Sequence, residues 1–148
     1  MVDFAQKAII THENKMLFIQ KSPEDPYHPL KWEIPGGRMR AGESLDEHIR
    51  REVKEEVGLS IEPREPLAMW SWRLGDEAHA PTIVAVAVHC LLSGDRHDVT
   101  SAGQDAGDHI GSWAWIDIDK AAELDLIPEA RDPILAAIDH MRHLTPLG

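Results

Sequence analysis

The segment from Ser44 to Val57 constrains the fold more than any other part of the chain, because it predicts a helix with both ends specified. Ser44 and Glu47 have the spacing of a capping box, and Gly58 stands where a glycine commonly ends a helix. Apolar residues recur at helical spacing and predict the buried face of this helix: Leu45, Ile49, Val53 and Val57.

Three glutamates share one face of this predicted helix. Glu52, Glu55 and Glu56 follow the spacings i, i+3 and i+4, which places them within about 100° of arc, beside the apolar face. Three like charges next to a core are unfavourable alone, because each raises the pKa of its neighbours. A divalent cation reverses that cost, and Mg²⁺ prefers oxygen ligands. The pattern therefore predicts a metal site on this helix.

Two neighbouring features suit such a site. Arg51 lies next to Glu52 and one turn before Glu55, where its planar guanidinium can orient a carboxylate through two hydrogen bonds. Pro35-Gly36-Gly37 and Gly42 predict a tight loop leading into the helix. Glycines there let the backbone approach a metal or a phosphate closely and offer a carbonyl as a ligand.

The stretch from Gly37 to Leu59 resembles the signature of the Nudix family, G-x₅-E-x₇-R-E-U-x-E-E-x-G-U, where U is aliphatic. Every specified position of the signature is met. The residues from Trp32 to Gly37, and the segment Trp115 to Leu126 with a helix after it, are also similar to the family. The resemblance implies an α/β fold, the Nudix-type α/β/α sandwich with a mixed β-sheet, in which the signature forms a loop–helix–loop.

The resemblance also implies a reaction and the residues that perform it. Family members mostly hydrolyse a nucleoside diphosphate linked to another group, X, with Mg²⁺ or Mn²⁺; water attacks one phosphorus in line while the metal stabilises the developing charge. The implied metal ligands are the Gly37 carbonyl, Glu52, Glu55 and Glu56. The implied catalytic residues are Glu43, Arg51, Glu52 and Glu55. Arg51 holds a glutamate in place, Glu43 braces the loop through Arg51 or through water on the metal, and Glu55 binds metal or acts as the base.

The rest of the sequence predicts a single domain over residues 1–148. The predicted strands are Phe4–Thr11 and Lys15–Gln20 around a turn at His12–Asn14, then Lys31–Ile34, Pro66–Leu74, Thr82–Leu92 and Trp113–Ile118. Thr82–Leu92 is almost wholly apolar, which is typical of a central strand covered on both faces. Few helices separate the strands, so the sheet should be mixed or mostly antiparallel. Asp132-Pro133 is expected to begin a last helix.

Charge and cysteine content narrow the function classes. The chain has 15 Lys and Arg against 26 Asp and Glu, a formal net charge of −11, which argues against binding a nucleic-acid polymer. No apolar run reaches the length of a membrane span, so no membrane partner is expected. A single cysteine, Cys90, cannot form an internal disulfide, which predicts a reducing, cytoplasmic location. A monomer and a homodimer both remain open.

Apart from the specified positions of the signature, four residues are candidates for contact with substrate. Arg38 and Arg40 flank the glycine loop, where they could bind substrate phosphates, although ordinary surface charge is an equal alternative. Asp108 and His109 lie in the long polar loop Ser93–Gly111, a region where some family members carry an extra glutamate as base or ligand. This loop has no glutamate, so the base is expected on the helix.

Three functions compete. Hydrolysis of a nucleoside triphosphate, as in MutT-type enzymes, is the mild favourite because the chain is small; a nucleotide-sugar or ADP-ribose pyrophosphatase is the alternative. A nucleotide-binding module without catalysis is less consistent with a complete set of signature glutamates. An isomerase on the same fold would need a reactive cysteine, and Cys90 lies in an apolar strand.

Overall fold

In the computed structural model, which describes residues 1–144, the chain forms one mixed sheet with a helix against each face. The strands are β1 (Val2–His12), β2 (Lys15–Lys21), β3 (Trp32–Glu33), β4 (Gly36–Arg38), β5 (Ser60–Arg73), β6 (Thr82–Ser93) and β7 (Ile110–Asp117). The helices are α1 (Leu45–Val57) and α2 (Pro128–Leu144), with short 3-10 helices at Arg96–Asp98 and Ile118–Glu123. No helix within residues 1–144 is both long and apolar enough to cross a bilayer.

The sheet opens between its first two strands. Strands β1 and β2 pair only next to their turn, at Thr11↔Met16 and His12↔Lys15. Beyond that point β1 pairs with β4 and β2 pairs with β3. On its other side β1 runs parallel to β6, which in turn pairs antiparallel with β5, while β7 pairs with β2. The predicted hairpin and mixed sheet are confirmed, and the segment between β3 and α1 lies at the opening.

Two apolar clusters hold the helices to opposite faces of the sheet. Alternate residues of β1 point to opposite faces, so Ile10 packs with Ile49 and Val53 of α1, whereas Ile9 packs with Ile134 of α2. All these side chains are buried. The expected α/β/α sandwich is therefore present. Cys90 is a buried residue of the cluster under α1, and burial raises the pKa of its thiol to about 12.

The ends of α1 are as predicted, and so is its buried face at Ile49, Val53 and Val57, but not at Leu45. The Ser44 side chain accepts a hydrogen bond from the Glu47 backbone N–H, the Glu47 carboxylate accepts one from the Ser44 N–H, and Gly58 adopts a left-handed conformation at φ 71°. Leu45, expected in the apolar stripe, is 56% exposed. The buried position in the first turns is taken by His48.

Gly36–Arg38, expected as a loop, forms β4 instead. Gly36 has φ 144°, and a Cβ atom there would lie 2.1 Å from the backbone oxygen of Gln6. Only a glycine at position 36 lets β4 approach β1 this closely. Gly36 and Gly37 are therefore part of a strand paired with β1.

Two further boundaries differ from expectation. Strand β5 begins at Ser60 rather than at Pro66, and its register shifts around Pro63 and Pro66, which an edge strand tolerates. Helix α2 begins at Pro128, not at Asp132-Pro133. A proline lacks the backbone N–H, which has no intrahelical partner at the first position of a helix. By sequence, therefore, Pro128 and Pro133 are equally suitable as the first residue of α2.

Candidate active site

A cleft of about 530 Å³ lies where α1, β1 and β4 meet at the opening of the sheet. Its lining includes residues of β1 and β5, of the loop and helix around the signature, and of the long loop before β7: Lys7, Trp72, Gly36, Gly37, Arg38, Arg40, Glu52, Asp105 and Asp108. The fold thus brings Gly37, Arg38, Arg40 and Glu52, all predicted for the site, to one cleft.

Arg51 connects three of the predicted glutamates. Its Nη2 donates to Glu43 Oε1 at 2.9 Å, and its Nη1 donates to Glu52 Oε1 at 2.9 Å and to Glu55 Oε2 at 3.3 Å. Hydrogen bonds from Arg51 hold the pKa of Glu43 at about 2, and the same contacts raise the pKa of the guanidinium. Glu43 also accepts from the backbone N–H of Arg40 at 2.7 Å. The loop before α1 is therefore tied to the helix through Glu43 and Arg51.

Glu56 is the most buried of the signature glutamates, with 5% of its surface exposed. Its Oε1 accepts a hydrogen bond from the Gly36 N–H at 2.7 Å. Burial raises the pKa of Glu56 well above its usual value, although nearby Lys7 opposes the shift. Burial also raises the pKa of Glu52, which is only partly opposed by Arg51. In both cases burial disfavours the charged form of the carboxyl.

A network of two lysines and a glutamate next to the cleft was missed from the sequence. Lys7 Nζ lies 3.1 Å from Glu33 Oε1, and Lys21 Nζ lies 3.6 Å from Glu33 Oε2. Burial disfavours both charges, yet the lysines lower the pKa of Glu33, while Glu33 and Glu56 raise the pKa of Lys7. The available signal was a polar pair, Gln6-Lys7, interrupting the apolar run of β1.

The arginines and the long loop occupy the rim. Arg38 contacts Asp3 and Arg40 contacts Glu55, both through exposed side chains. Asp108 lines the cleft, and burial raises the pKa of its carboxyl. His109 instead directs its backbone carbonyl to the N–H of Ser22. Of the two loop candidates, the structure places Asp108 at the cleft.

A second cavity of about 240 Å³ adjoins the first and shares Lys7 and Trp72 with it. Aromatic and acidic side chains line it, among them Tyr27, Trp70, Asp25 and Glu129. The rings of Trp70 and Trp72 stack with centroids 6.2 Å apart. Among residues 1–144, Trp70 Nε1 is one of few buried polar side-chain atoms without a hydrogen-bond partner. The two cavities therefore share part of their walls, and the second is partly aromatic.

The donor set at the glutamates fits a hard divalent cation. As the side chains stand, no three His, Cys, Asp or Glu residues within the described range converge closely enough to ligate a metal. Arg51 holds Glu52 and Glu55, and Gly36 holds Glu56. Two carboxylates with raised pKa values nevertheless favour a nearby cation. A Cβ atom at Gly37 would lie 2.8 Å from Glu52 Oε2. A glycine at this position therefore leaves the space that the Glu52 carboxylate occupies.

The sequence model of the NUDIX domain matches residues 4–138, almost the whole described chain. The chain belongs to the Nudix family. Among the curated relatives of this Nudix protein, the 8-oxo-dGTP diphosphatase of Escherichia coli K12 is 30% identical over 43% of this chain and 59% of that protein. The ADP-ribose pyrophosphatase of Methanocaldococcus jannaschii is 34% identical over 45% of this chain and 38% of that one. Each match spans less than two thirds of the relative.

Solved structures agree on the Nudix fold over nearly the full chain. A MutT protein from Methanosarcina mazei superimposes with a TM-score of 0.72 at 20% identity, covering 97% of this chain and 96% of the other. A UDP-X diphosphatase superimposes with a TM-score of 0.71 at 18% identity, covering 98% of this chain and 65% of the other. At such identities the likeness establishes the fold and leaves the substrate to be argued from the site.

Proposed function

We propose that this Nudix protein hydrolyses a phosphoanhydride bond in a nucleoside diphosphate linked to a further group, in the presence of Mg²⁺ or Mn²⁺. The observation that carries the proposal is that Glu52 lines the cleft while Arg51 binds both Glu52 and Glu55, and that Glu56, buried on the same helix, bonds to Gly36 in the cleft wall. Its relatives include phosphoanhydride hydrolases that act on nucleotides.

Four groups would hold the cation: the carboxylates of Glu52, Glu55 and Glu56 and the carbonyl of Gly37. When bound, the cation supplies charge neutralisation on the phosphates and acidifies water. The raised pKa values of Glu52 and Glu56 support this assignment, because burial disfavours both charges and a nearby cation would offset that cost.

The chain's own residues supply positioning and proton transfer. Glu52 or Glu55 accepts the proton of the attacking water, since both lie on a capped helix and are oriented by Arg51. Lys7 at the base of the cleft, with Arg38 and Arg40 at its rim, binds phosphate oxygens of the substrate.

The second cavity takes the nucleoside. Trp70 and Trp72 offer an aromatic surface on which a base can stack. A nucleoside triphosphate is the favoured substrate, supported by the small domain and by relatives named for 8-oxo-dGTP. ADP-ribose and nucleotide sugars are the second choice. A free nucleotide, rather than a polymer, suits a chain of net charge −11.

A substrate panel with resolved products tests this function. We expect the protein to convert at least one member of a set of nucleoside triphosphates, oxidised guanine nucleotides, ADP-ribose and UDP-sugars when Mg²⁺ is present. Chromatography identifies the cleaved bond, and excess chelator should abolish the reaction. Tight nucleotide binding without turnover by any member would instead identify a binding module and contradict the proposal.

Changing Arg51 to lysine tests its orienting role. Lysine keeps the charge but lacks the planar donors that reach several carboxylates at once. We expect kcat to fall roughly 10- to 100-fold, with KM changing less, because the glutamates lose their orientation. Arg50→Lys is the matched control, since Arg50 bonds to Ile61 and Glu62 away from the cleft. A wild-type rate in Arg51→Lys would show that charge alone suffices.

A further inference from the structure

Asp25 is an acidic residue buried in the loop between β2 and β3. The other residues of this loop, 22–31, are exposed or half-buried, whereas Asp25 is only 8% exposed. Aspartate is rarely buried to this extent unless it is paired. Asp25 also lines the second cavity. The loop therefore brings a buried carboxylate to the wall of the proposed nucleoside site.

The two oxygens of the Asp25 carboxylate have different surroundings. Oδ2 accepts hydrogen bonds from the backbone N–H of Tyr27 at 3.2 Å and of His28 at 2.7 Å. Burial disfavours the charge, but these hydrogen bonds outweigh it and lower the pKa of Asp25, so the carboxyl is ionised at neutral pH. Oδ1 has no hydrogen-bond partner within residues 1–144, yet it is not one of the fully enclosed unpaired atoms there. Oδ1 is therefore a charged acceptor that a ligand can reach.

The other two carboxylates of the second cavity already have partners. Glu33 lies in the network with two lysines, and Glu129 Oε1 lies 3.1 Å from Nε2 of His28. No lysine, arginine or histidine side chain of the described chain forms an ion pair with Asp25. Of the three acids, Asp25 is thus the one with an oxygen left for a ligand.

A nucleotide that lies across the two cavities brings its base, and not its phosphates, to Asp25. Lys7 and Trp72 line both cavities and mark the passage between them, whereas Asp25 lines the second cavity alone. An ionised carboxylate repels phosphate and accepts hydrogen bonds only from N–H or O–H groups. The bases guanine, adenine and cytosine each carry such a donor in their exocyclic amino group. A base of this kind offers the donor that Oδ1 lacks.

We propose that Asp25 is a specificity-determining residue whose Oδ1 accepts a hydrogen bond from the exocyclic amino group of the substrate base. This inference rests on the proposed function, which places the nucleoside in the second cavity. One alternative is that Asp25 only caps the loop through Oδ2, in which case it has no influence on the choice of base. Another is that Oδ1 binds a ribose hydroxyl, in which case its loss weakens all nucleotides equally.

Replacing Asp25 by asparagine separates these roles. The backbone N–H groups of Tyr27 and His28 hold the amide oxygen at the place of Oδ2, so the amide nitrogen takes the place of Oδ1. The variant therefore keeps the loop cap and exchanges an acceptor for a donor at the base. Glu24→Gln is the matched control, because it removes the same charge from an exposed position of the same loop.

Binding of nucleoside monophosphates to the wild type and both variants is measured by calorimetry in the presence of Mg²⁺. Three pairs differ in one amino group: GMP and IMP, AMP and IMP, CMP and UMP. We expect the wild type to bind the amino-bearing member of at least one pair roughly tenfold more tightly, the usual effect of a hydrogen bond to a charged group. Asp25→Asn should lose or reverse this preference at an unchanged melting temperature, and Glu24→Gln should keep it.

Three results would overturn the inference: equal affinity within every pair in the wild type, which includes a failure to bind all five; a preference that persists in Asp25→Asn; or an equal loss for all five ligands in that variant. Should Asp25→Asn not fold, Asp25→Ser gives the same test, because its hydroxyl can still cap the loop while Oδ1 is removed. Monophosphates have no phosphoanhydride bond, so binding is read without turnover. A protein that shows the preference but cleaves no nucleotide contradicts the proposed function and supports the role of Asp25.

Discussion

Replacing Glu52 or Glu55 by glutamine is expected to lower kcat by roughly 10²–10⁴, the usual size of a general base contribution. The larger loss should mark the residue that accepts the proton. Glutamine keeps the size and the hydrogen bond to Arg51 through its carbonyl oxygen but cannot accept a proton from water. Glu52 is half-buried against Gly37, and burial raises the pKa of its carboxyl. We measure kcat and KM at saturating Mg²⁺.

The loop variants Asp108→Asn and His109→Ala provide the comparison. Asp108 lies at the cleft but is carried by the loop before β7, whereas the glutamates are carried by a capped helix. We expect these two variants to lose less rate and to act mainly through KM. A thousandfold loss in Asp108→Asn, with less than a tenfold loss in both glutamate variants, would place the base on the loop.

Glu56→Gln is expected to weaken Mn²⁺ binding roughly tenfold or more. Glu56 lies buried with a hydrogen bond to the Gly36 N–H, and the pKa of its carboxyl is raised because burial opposes its charge. A bound cation would stabilise this carboxylate. The neutral amide of glutamine loses the charge interaction with the cation but keeps a carbonyl oxygen that can accept the hydrogen bond from the Gly36 N–H. Glu62→Gln, on an exposed part of β5, is the control with the same change in charge. Equal affinities in Glu56→Gln and the wild type would remove Glu56 from the ligand set.

The parts of the fold that local physics decides could be predicted from the sequence. The helix α1 and both of its caps follow from the residues at Ser44, Glu47 and Gly58, and the turn after His12 follows from its polar residues. The shared face of the glutamates follows from helical spacing alone. The family signature then supplied the loop before the helix and the sandwich around it.

The parts that depend on distant contacts could not be predicted. By pattern, Leu45 belongs in the core and His48 on the surface. Their positions are exchanged because Gln6 and the Gly37 carbonyl supply polar partners for His48 inside the protein. In the same way, the charge of Lys7 in a buried strand is stabilised by the ion pair with Glu33, and Glu56 adds to that stabilisation. Neither partner is near in sequence, so no local pattern shows the pairing.

Strand β4 illustrates a third limit. Proline and glycine in Pro35-Gly36-Gly37 predict an interruption of regular secondary structure, and the residues after it can form either a loop or a short strand. The close approach of Gly36 to Gln6 decides for a strand, and that contact exists only in the folded sheet. The same glycines therefore pair with β1 in the sheet and form part of the segment that leads to α1.

The most direct test of the central claim, that cation binding at the α1 glutamates drives phosphoanhydride hydrolysis, is one Mn²⁺ titration read in two ways. Bound Mn²⁺ and the rate of product release from the best nucleotide are followed on the same samples of wild type and Glu56→Gln. We expect both curves to rise together in the wild type and to shift together to higher Mn²⁺ in the variant. Hydrolysis that is already maximal without bound Mn²⁺, or that stays unshifted while binding weakens, would contradict it.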